Sequence, residues 1–376
     1  MGRQDFRIDI FNRDMQWVAP LGNFKALRST IRWRGISETS ITLPGNHHRI
    51  AAMSDEGARL RINFRRETLM TGMIRPVSGV GPGVAGDYVF SCQSDYRLMH
   101  NFLGWPAPGL PPDRQGEDDA YYTIGRAPLE TIIKDIVRRN VVERSQIPIV
   151  IAPDLGRGPV TEVTFRMHPM IDRLQPALEA SSLGITVEMK DGALHLDVVE
   201  PKPYLQPLTE RSRVIQKWGF SRNPPEATRG IVGAQGEGQA REFIPFRDAA
   251  REALWGDVIE VFRDARDTSE SATHAIRAAE ALEDTRATAS LTVELAESGN
   301  FRVFGPKGVR PGSLVTARVG SRTEVTNVLS EVSVTYDAAN GLQISSTIGP
   351  KDDPDELIMQ AITALAKALT DLKVST

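Results

Sequence analysis

The chain has 376 residues, room for two to four domains, with 40% hydrophobic and 25% charged residues, as in a folded globular protein. A formal net charge of −3 excludes the strongly basic surface of a dedicated nucleic-acid binder, and a single cysteine, Cys92, excludes an intrachain disulfide. There is no apolar run of about 18 residues to serve as a membrane anchor, and Met1–Asp5 lack a signal-peptide layout, so folding in a cytoplasm is expected.

The first hundred residues read as strands. Phe6, Ile8 and Ile10 alternate with Arg7, Asp9 and Phe11, and Leu60, Ile62 and Phe64 alternate with Arg59, Arg61 and Asn63. A period of two places one face on a core and the other in water or against a neighbour. Gly35, Pro44-Gly45, Gly57 and the stretch Gly79–Gly86 punctuate the runs as turns. A small β-barrel or sandwich over 1–105 is predicted. Ser94–His100 reads as a short helix capped by Ser94 or Asp95, and Trp105–Pro112 is too rich in proline for helix or central strand.

An α/β segment over 106–205 follows. Leu129, Ile132, Ile133, Ile136 and Val137 recur at helical spacing, with Pro128 in the first turn. Met170, Ile171, Leu174 and Leu178 predict a second helix, with Pro176 in its first turn or bending it. Ile185–Met189 and Leu194–Val198 flank Asp191-Gly192, whose tolerance of positive φ suits a tight type I′ turn. Pro201, Pro203 and Pro207 mark the next boundary.

A second β-barrel-like domain is predicted over 206–350, with strands near 228–233, 257–262, 313–319, 323–336 and 342–348. A helix from Thr268 to Leu282, with Thr268 as its cap, interrupts them. The last segment, 351–376, reads as a helix from Pro354 to Lys373, with Asp352, Asp353 and Asp355 at its N-terminal end. Its Ile358, Ile362, Leu365, Leu369 and Leu372 fall at steps of four, three, four and three, a coiled-coil seam compatible with three strands. Such a short seam also suits packing on the chain's own body. The fold class is therefore α+β, mainly β: two barrel-like domains flank an α/β insert, with a C-terminal helix.

Chemistry is sparse. The six histidines, His47, His48, His100, His168, His195 and His274, form no zinc-spaced pair on a helix, and His47-His48 read as exposed turn residues. Cys92 lies in a strand-like run and reads as a small buried hydrophobe. Asp118-Asp119 read as a solvated acidic cluster in a polar loop. Gly79–Gly86 and Gly233–Gly238 both lack the lysine of a phosphate loop, and the first reads as a hairpin turn. Arg59, Arg61, Arg65 and Arg66 read as the wet face of a strand, with an assembly interface as the alternative. No catalytic, cofactor or metal site is expected. A hydrolase built on Asp118, Asp119 or Asp264 is the competing reading. A carbohydrate-binding module is disfavoured by the absence of an aromatic cluster.

The order of segments carries a resemblance. It runs through Ser37–Pro44 ending in Leu43-Pro44, a short helical stretch after His47, Gly57–Ile62, Leu69–Ile74, Ser94-Asp95 with Leu98, and Trp105-Pro106. Thr228–Gly238 and Asp264–Asp267 complete it. Across Phe6 to Gly349 this order resembles the minor tail proteins of long-tailed actinobacteriophages, in the baseplate-hub, tail-associated (Tal-like) family. The resemblance implies a homotrimer at the virion tail tip whose paired β-barrels form a six-membered ring under the tail tube. It further implies a distal tail protein or tube ring and the tape-measure protein as neighbours, and a tip or fibre protein below. DNA would meet the hub only in transit through its lumen. Some relatives carry a C-terminal peptidase or lysozyme domain; this chain ends after one helix, and that activity is not expected.

Overall fold

The computed structural model describes residues 5–80, 86–115, 122–209, 214–236, 238–265, 271–295, 297, 301–319 and 323–353. The chain divides into two compact units. The first comprises Met1–Lys217, Val293–Ala317 and Thr326–Ile348; the second comprises Trp218–Thr292, Arg318–Val325 and Gly349–Thr376. With 47% strand and 20% helix the protein is mainly β, of the α+β class.

In the first unit the strands are β1 (Phe6–Phe11), β2 (Trp17–Leu21), β3 (Ala26–Arg32), β4 (Glu38–Pro44), β5 (Arg59–Phe64), β6 (Glu67–Val80) and β7 (Asp87–Ser94). Strand Gly341–Asp353 leads to Thr323–Asp337, and the path continues as β3-β4-β7-β6-β5-β1-β2. The path ends on β2 rather than returning to its start, so among the described residues the sheet is open: of the barrel or sandwich predicted no closed barrel forms, while the mainly β, α+β class holds. Alternation sets the register: Ile8 faces Ile62 and Ile10 faces Leu60 across β1 and β5, all four fully buried or nearly so. A one-residue slip would turn each of them to the other face. β6 pairs antiparallel with β7, Val80 opposite Asp87; residues 81–85 of the glycine-rich turn predicted between them lie outside the described residues.

β1 departs from simple alternation. Asp9 and Phe11 are buried along with Phe6, Ile8 and Ile10. Asp9 accepts hydrogen bonds from Arg7 Nε at 3.2 Å and Trp17 Nε1 at 3.3 Å. Phe11 joins Met15, Tyr96, Leu98 and Met99 in a core that continues into the helices Leu129–Val137 and Met170–Ser181. Both faces of β1 are therefore covered at its end.

The insert follows its periodicity closely. Leu129, Ile132, Ile133, Ile136 and Val137 are all fully buried, and each contributes on the order of 1.5–3 kcal/mol of burial. Pro128 is the N-cap, one residue before the predicted first turn. Pro176 lies inside the helix Met170–Ser181 rather than in its first turn. Strand Gly184–Lys190 pairs antiparallel with Ala193–Val199 around Asp191 (φ 50°) and Gly192 (φ 78°), the left-handed pair that the Asp-Gly sequence predicts. Strand Ile149–Ile151 pairs parallel to the second arm. The Ser94–His100 helix begins as a short 3-10 turn at Asp95 and continues over Leu98–Asn101. Ser94 makes no capping bond; its Oγ accepts from the Ser37 N–H at 2.9 Å instead.

Four charges meet in the insert, Glu130 and Lys134 buried, Arg157 and Asp197 half-buried. Lys134 Nζ donates to Glu130 Oε1 at 2.6 Å and to Asp197 Oδ1 at 2.9 Å. Arg157 donates to both Glu130 oxygens at 2.9 Å and to Asp197 at 3.0 Å. Hydrogen bonds from Arg157, then from Lys134, hold the Glu130 carboxyl far below the usual carboxylate range, against the opposing effect of burial. The unfolded chain therefore takes up a proton that folded Glu130 refuses, and stability rises with pH across that interval. Urea unfolding should show stability lost as pH falls below about 5, through the ordinary carboxylate range. Glu130→Gln should be destabilised more at pH 7 than at pH 3. An equal loss at both pH values would refute this account of Glu130.

The second unit holds a three-stranded sheet in the order Phe243–Arg247, Arg229–Gly233, Glu260–Asp264, the last two parallel. The helix Ala249–Trp255 is capped by Asp248, whose side chain accepts from Arg251 N at 2.9 Å, and ends at Gly256 (φ 66°). The helix Ser271–Asp284 starts three residues after the predicted cap, Thr268, which lies outside the described residues.

Candidate assembly surfaces

The arginines of β5 and the following turn are not a wet face. Arg59 is buried and its guanidinium donates to Asp95, itself buried. Thr71 Oγ1 donates to the other Asp95 oxygen at 2.6 Å and accepts from Met189 N at 2.7 Å, so the network ties β5 and β6 to the insert. Burial pushes the Asp95 carboxyl up, while Arg59 and Thr71 pull it back. Arg61 reaches the Met189 carbonyl at 2.7 Å and lies over the Phe11 ring. Arg65 pairs with Glu297 and donates to the Val303 carbonyl at 2.9 Å. Alternation identified the face correctly; what covers it is the chain itself. Only Arg66 of the four is exposed.

Other candidates also resolve into structural roles. His47 is buried, not exposed as predicted: its Nε2 is 2.9 Å from the Gly22 carbonyl and its Nδ1 accepts from Arg49 N at 3.2 Å. Burial holds its pKa below the ordinary value. His48 is exposed and stacks on it at 4.8 Å. Among the described residues no group of three His, Cys, Asp or Glu side chains is placed to hold a metal. Cys92 is fully buried, and desolvation pushes its thiol well above the ordinary value. Asp264 is ion-paired to Arg241 at 2.7 Å. Asp118 and Asp119 lie outside the described residues, as do Ile358, Ile362, Leu365, Leu369 and Leu372.

Two surfaces have the character of contact sites. β2 stands at one end of the sheet path, and its own Trp17 and Val18 are 58% and 42% exposed. A free strand edge is a template for another strand, although Pro20 removes one donor from this one. In the second unit, Ile231, Phe243, Pro245 and Phe262 share one exposed face of the three-stranded sheet. Arg241 stacks over both phenyl rings, at 5.5 and 5.3 Å. At the other end of that face Glu252 accepts from Arg229 and from Arg247, each at 2.6 Å. Sequence reasoning missed this face because it did not find the strand Phe243–Arg247.

A β-rich body with buried, internally neutralised charges and exposed strand edges is the frame in which known relatives become informative. The family model described as Siphovirus ReqiPepy6 Gp37-like protein matches residues 7–350. The chain belongs to this siphovirus tail protein family. Among solved structures, the 43 kDa tail protein of prophage MuSo2 from Shewanella oneidensis is 12% identical, with a TM-score of 0.54 over 93% of this chain and 100% of that one. The tail protein from Neisseria meningitidis MC58 is also 12% identical, with a TM-score of 0.52 over 94% and 98% of the two chains. At this identity the likeness is one of fold. A comparison with curated proteins gives no match. The chain is thus a member of the Gp37-like siphovirus family, on a fold it shares with prophage tail proteins.

Proposed function

We propose that the chain is a baseplate-hub subunit that assembles as a homotrimer at the tail tip. The observation that carries the reading is the match of residues 7–350 to a siphovirus tail family, on a fold spanning the whole of a prophage tail protein. Each subunit offers two compact units with β-sheet. Three subunits then present six, in step with a six-fold tail tube, while a three-fold tip or fibre protein docks below. The neighbours are a distal tail protein or tube ring and the tape-measure protein, and the trimer opens to let the genome pass. The role is mechanical, without turnover: the buried carboxylates Glu130 and Asp95 and the part-exposed Asp264 are each held by a cation. Ile358, Ile362, Leu365, Leu369 and Leu372 form a three-helix seam on the axis.

Mass measurement of the full chain in solution, alone and with purified tail-tube or distal tail protein, tests the reading. A trimer is expected in at least one of the two conditions. Leu365→Asp should raise the concentration at which the trimer dissociates at least tenfold, because three carboxylates would share one buried layer. A chain that stays monomeric in both conditions, or closes as a dimer, counts against the hub.

A further inference from the structure

A cleft of about 520 Å³ opens in the first unit beside the Arg59–Asp95 pair. That volume is in the range of ligand-binding sites. Four guanidinium groups line it, those of Arg13, Arg59, Arg75 and Arg97. Asp95 is already engaged by Arg59 and by Thr71. The other lining carboxylate, Asp14, lies 3.9 Å from the lining Arg13.

Two charges are left over. Among the described residues no carboxylate lies within ion-pair distance of Arg75 or Arg97. Arg97 Nη1 donates to Gln93 Oε1 at 2.9 Å, a neutral acceptor. The Nε atoms of Arg59 and Arg97 are buried without an acceptor. The crowding registers on Arg75, whose pKa is lowered by burial first, then by the charges of Arg97 and Arg59. Guanidinium groups held together without counter-charges favour a carboxylate or other oxyanion, which they bind with charge-assisted hydrogen bonds.

The rest of the lining narrows the class of ligand. Met73, Ile147 and Leu194 supply apolar wall, and Asn101 and Gln146 supply amides that match a peptide backbone. None of the lining residues is aromatic, so there is no platform for stacking bases. The chain as a whole carries a net charge of −3, unsuited to tracking a phosphate backbone.

We propose that this cleft receives a glutamate or aspartate side chain on an acidic segment of a neighbouring tail protein, gripped by Arg75 and Arg97. The site is formed within one chain, so it stands whether or not the subunit is a trimer. Arg59 has the supporting role of holding Asp95 out of competition for the two free guanidinium groups.

The test uses the full chain and a fluorescein-labelled hexaglutamate peptide, with binding followed by anisotropy at low salt. Binding is expected to weaken at least tenfold in Arg75→Ala/Arg97→Ala and to change less than twofold in Arg28→Ala. Arg28 is an exposed arginine of β3, and its replacement removes one positive charge elsewhere on the same unit. Thermal unfolding of the double variant should match the parent, because Arg75 is exposed and Arg97 makes one neutral hydrogen bond. The proposal is overturned if the parent does not bind the peptide, or if Arg28→Ala weakens binding as much as the double variant. It is also overturned if hexathymidylate binds more tightly than hexaglutamate, or if inorganic phosphate competes as an equal.

Discussion

Asp95→Ala is expected to destabilise the chain by about 3–5 kcal/mol, the usual consequence of removing one partner of a buried ion pair. Arg59 would remain in place, buried, with its positive charge facing no carboxylate. Thr71 would lose the acceptor for its hydroxyl, and the Met189 N–H would lose a well-oriented partner in turn. The loss therefore falls on the seam between β5–β6 and the strand Gly184–Lys190, not on one side chain alone. Replacing both partners, as Arg59→Met with Asp95→Leu, removes the stranded charge and should recover most of the stability. Urea unfolding of the two variants at neutral pH is the measurement. If Asp95→Ala costs less than about 1 kcal/mol, or the double variant is no better than the single, the pair is not the joint described here.

Phe64→Ala should cost about as much, roughly 3–5 kcal/mol, for an apolar reason. Phe64 is fully buried at the end of β5. Its ring lies 4.8 Å from Phe6 and meets Phe304 edge-on at 6.1 Å, so it joins the start of the chain to a segment far along it. The Arg65 guanidinium sits over the same ring, 4.6 Å from its centre, while reaching Glu297 and Val303. Truncation opens a cavity bordered by side chains already fixed by their own strands, which limits collapse into it. The denaturation midpoint should fall with little change in slope, since slope reports the surface exposed on unfolding. Phe64→Leu should retain more than half of the lost stability, and a loss equal to that of alanine would point to ring stacking rather than volume.

Local signals in the sequence were legible because their physics is local. Asp191-Gly192 specifies its turn through backbone conformation alone, and Leu129 to Val137 specify a helix face through spacing alone. The arginines of β5 show the limit. Their alternation fixes which way they point, but Asp95, Met189 and Glu297 lie 36, 128 and 232 residues away, and nothing in the spacing reveals them. His47 was misread for the same reason: its acceptor is a backbone carbonyl, which leaves no mark in the sequence. The helix Ala249–Trp255 was written in its ends, Asp248 and Gly256, but is too short to show a period. The cleft draws Arg59, Arg75 and Arg97 from β5, β6 and the 3-10 turn after β7, and no motif spacing connects them.

The pairing of β3 sets a timetable for synthesis. One edge of this strand meets residues 331–337 in register, and Arg32 bonds Glu331 across a separation of 299 residues at 2.9 Å. At about 5–20 residues per second, that edge waits roughly 15–60 s on the ribosome for its partner. Until then the early strands, with their apolar faces already patterned, are an incomplete sheet that neighbouring nascent chains can join. Such long-range closure slows folding through loop entropy and raises the hazard of mispairing. The yield of correctly paired sheet is thus governed by how fast residues 323–348 arrive and close it.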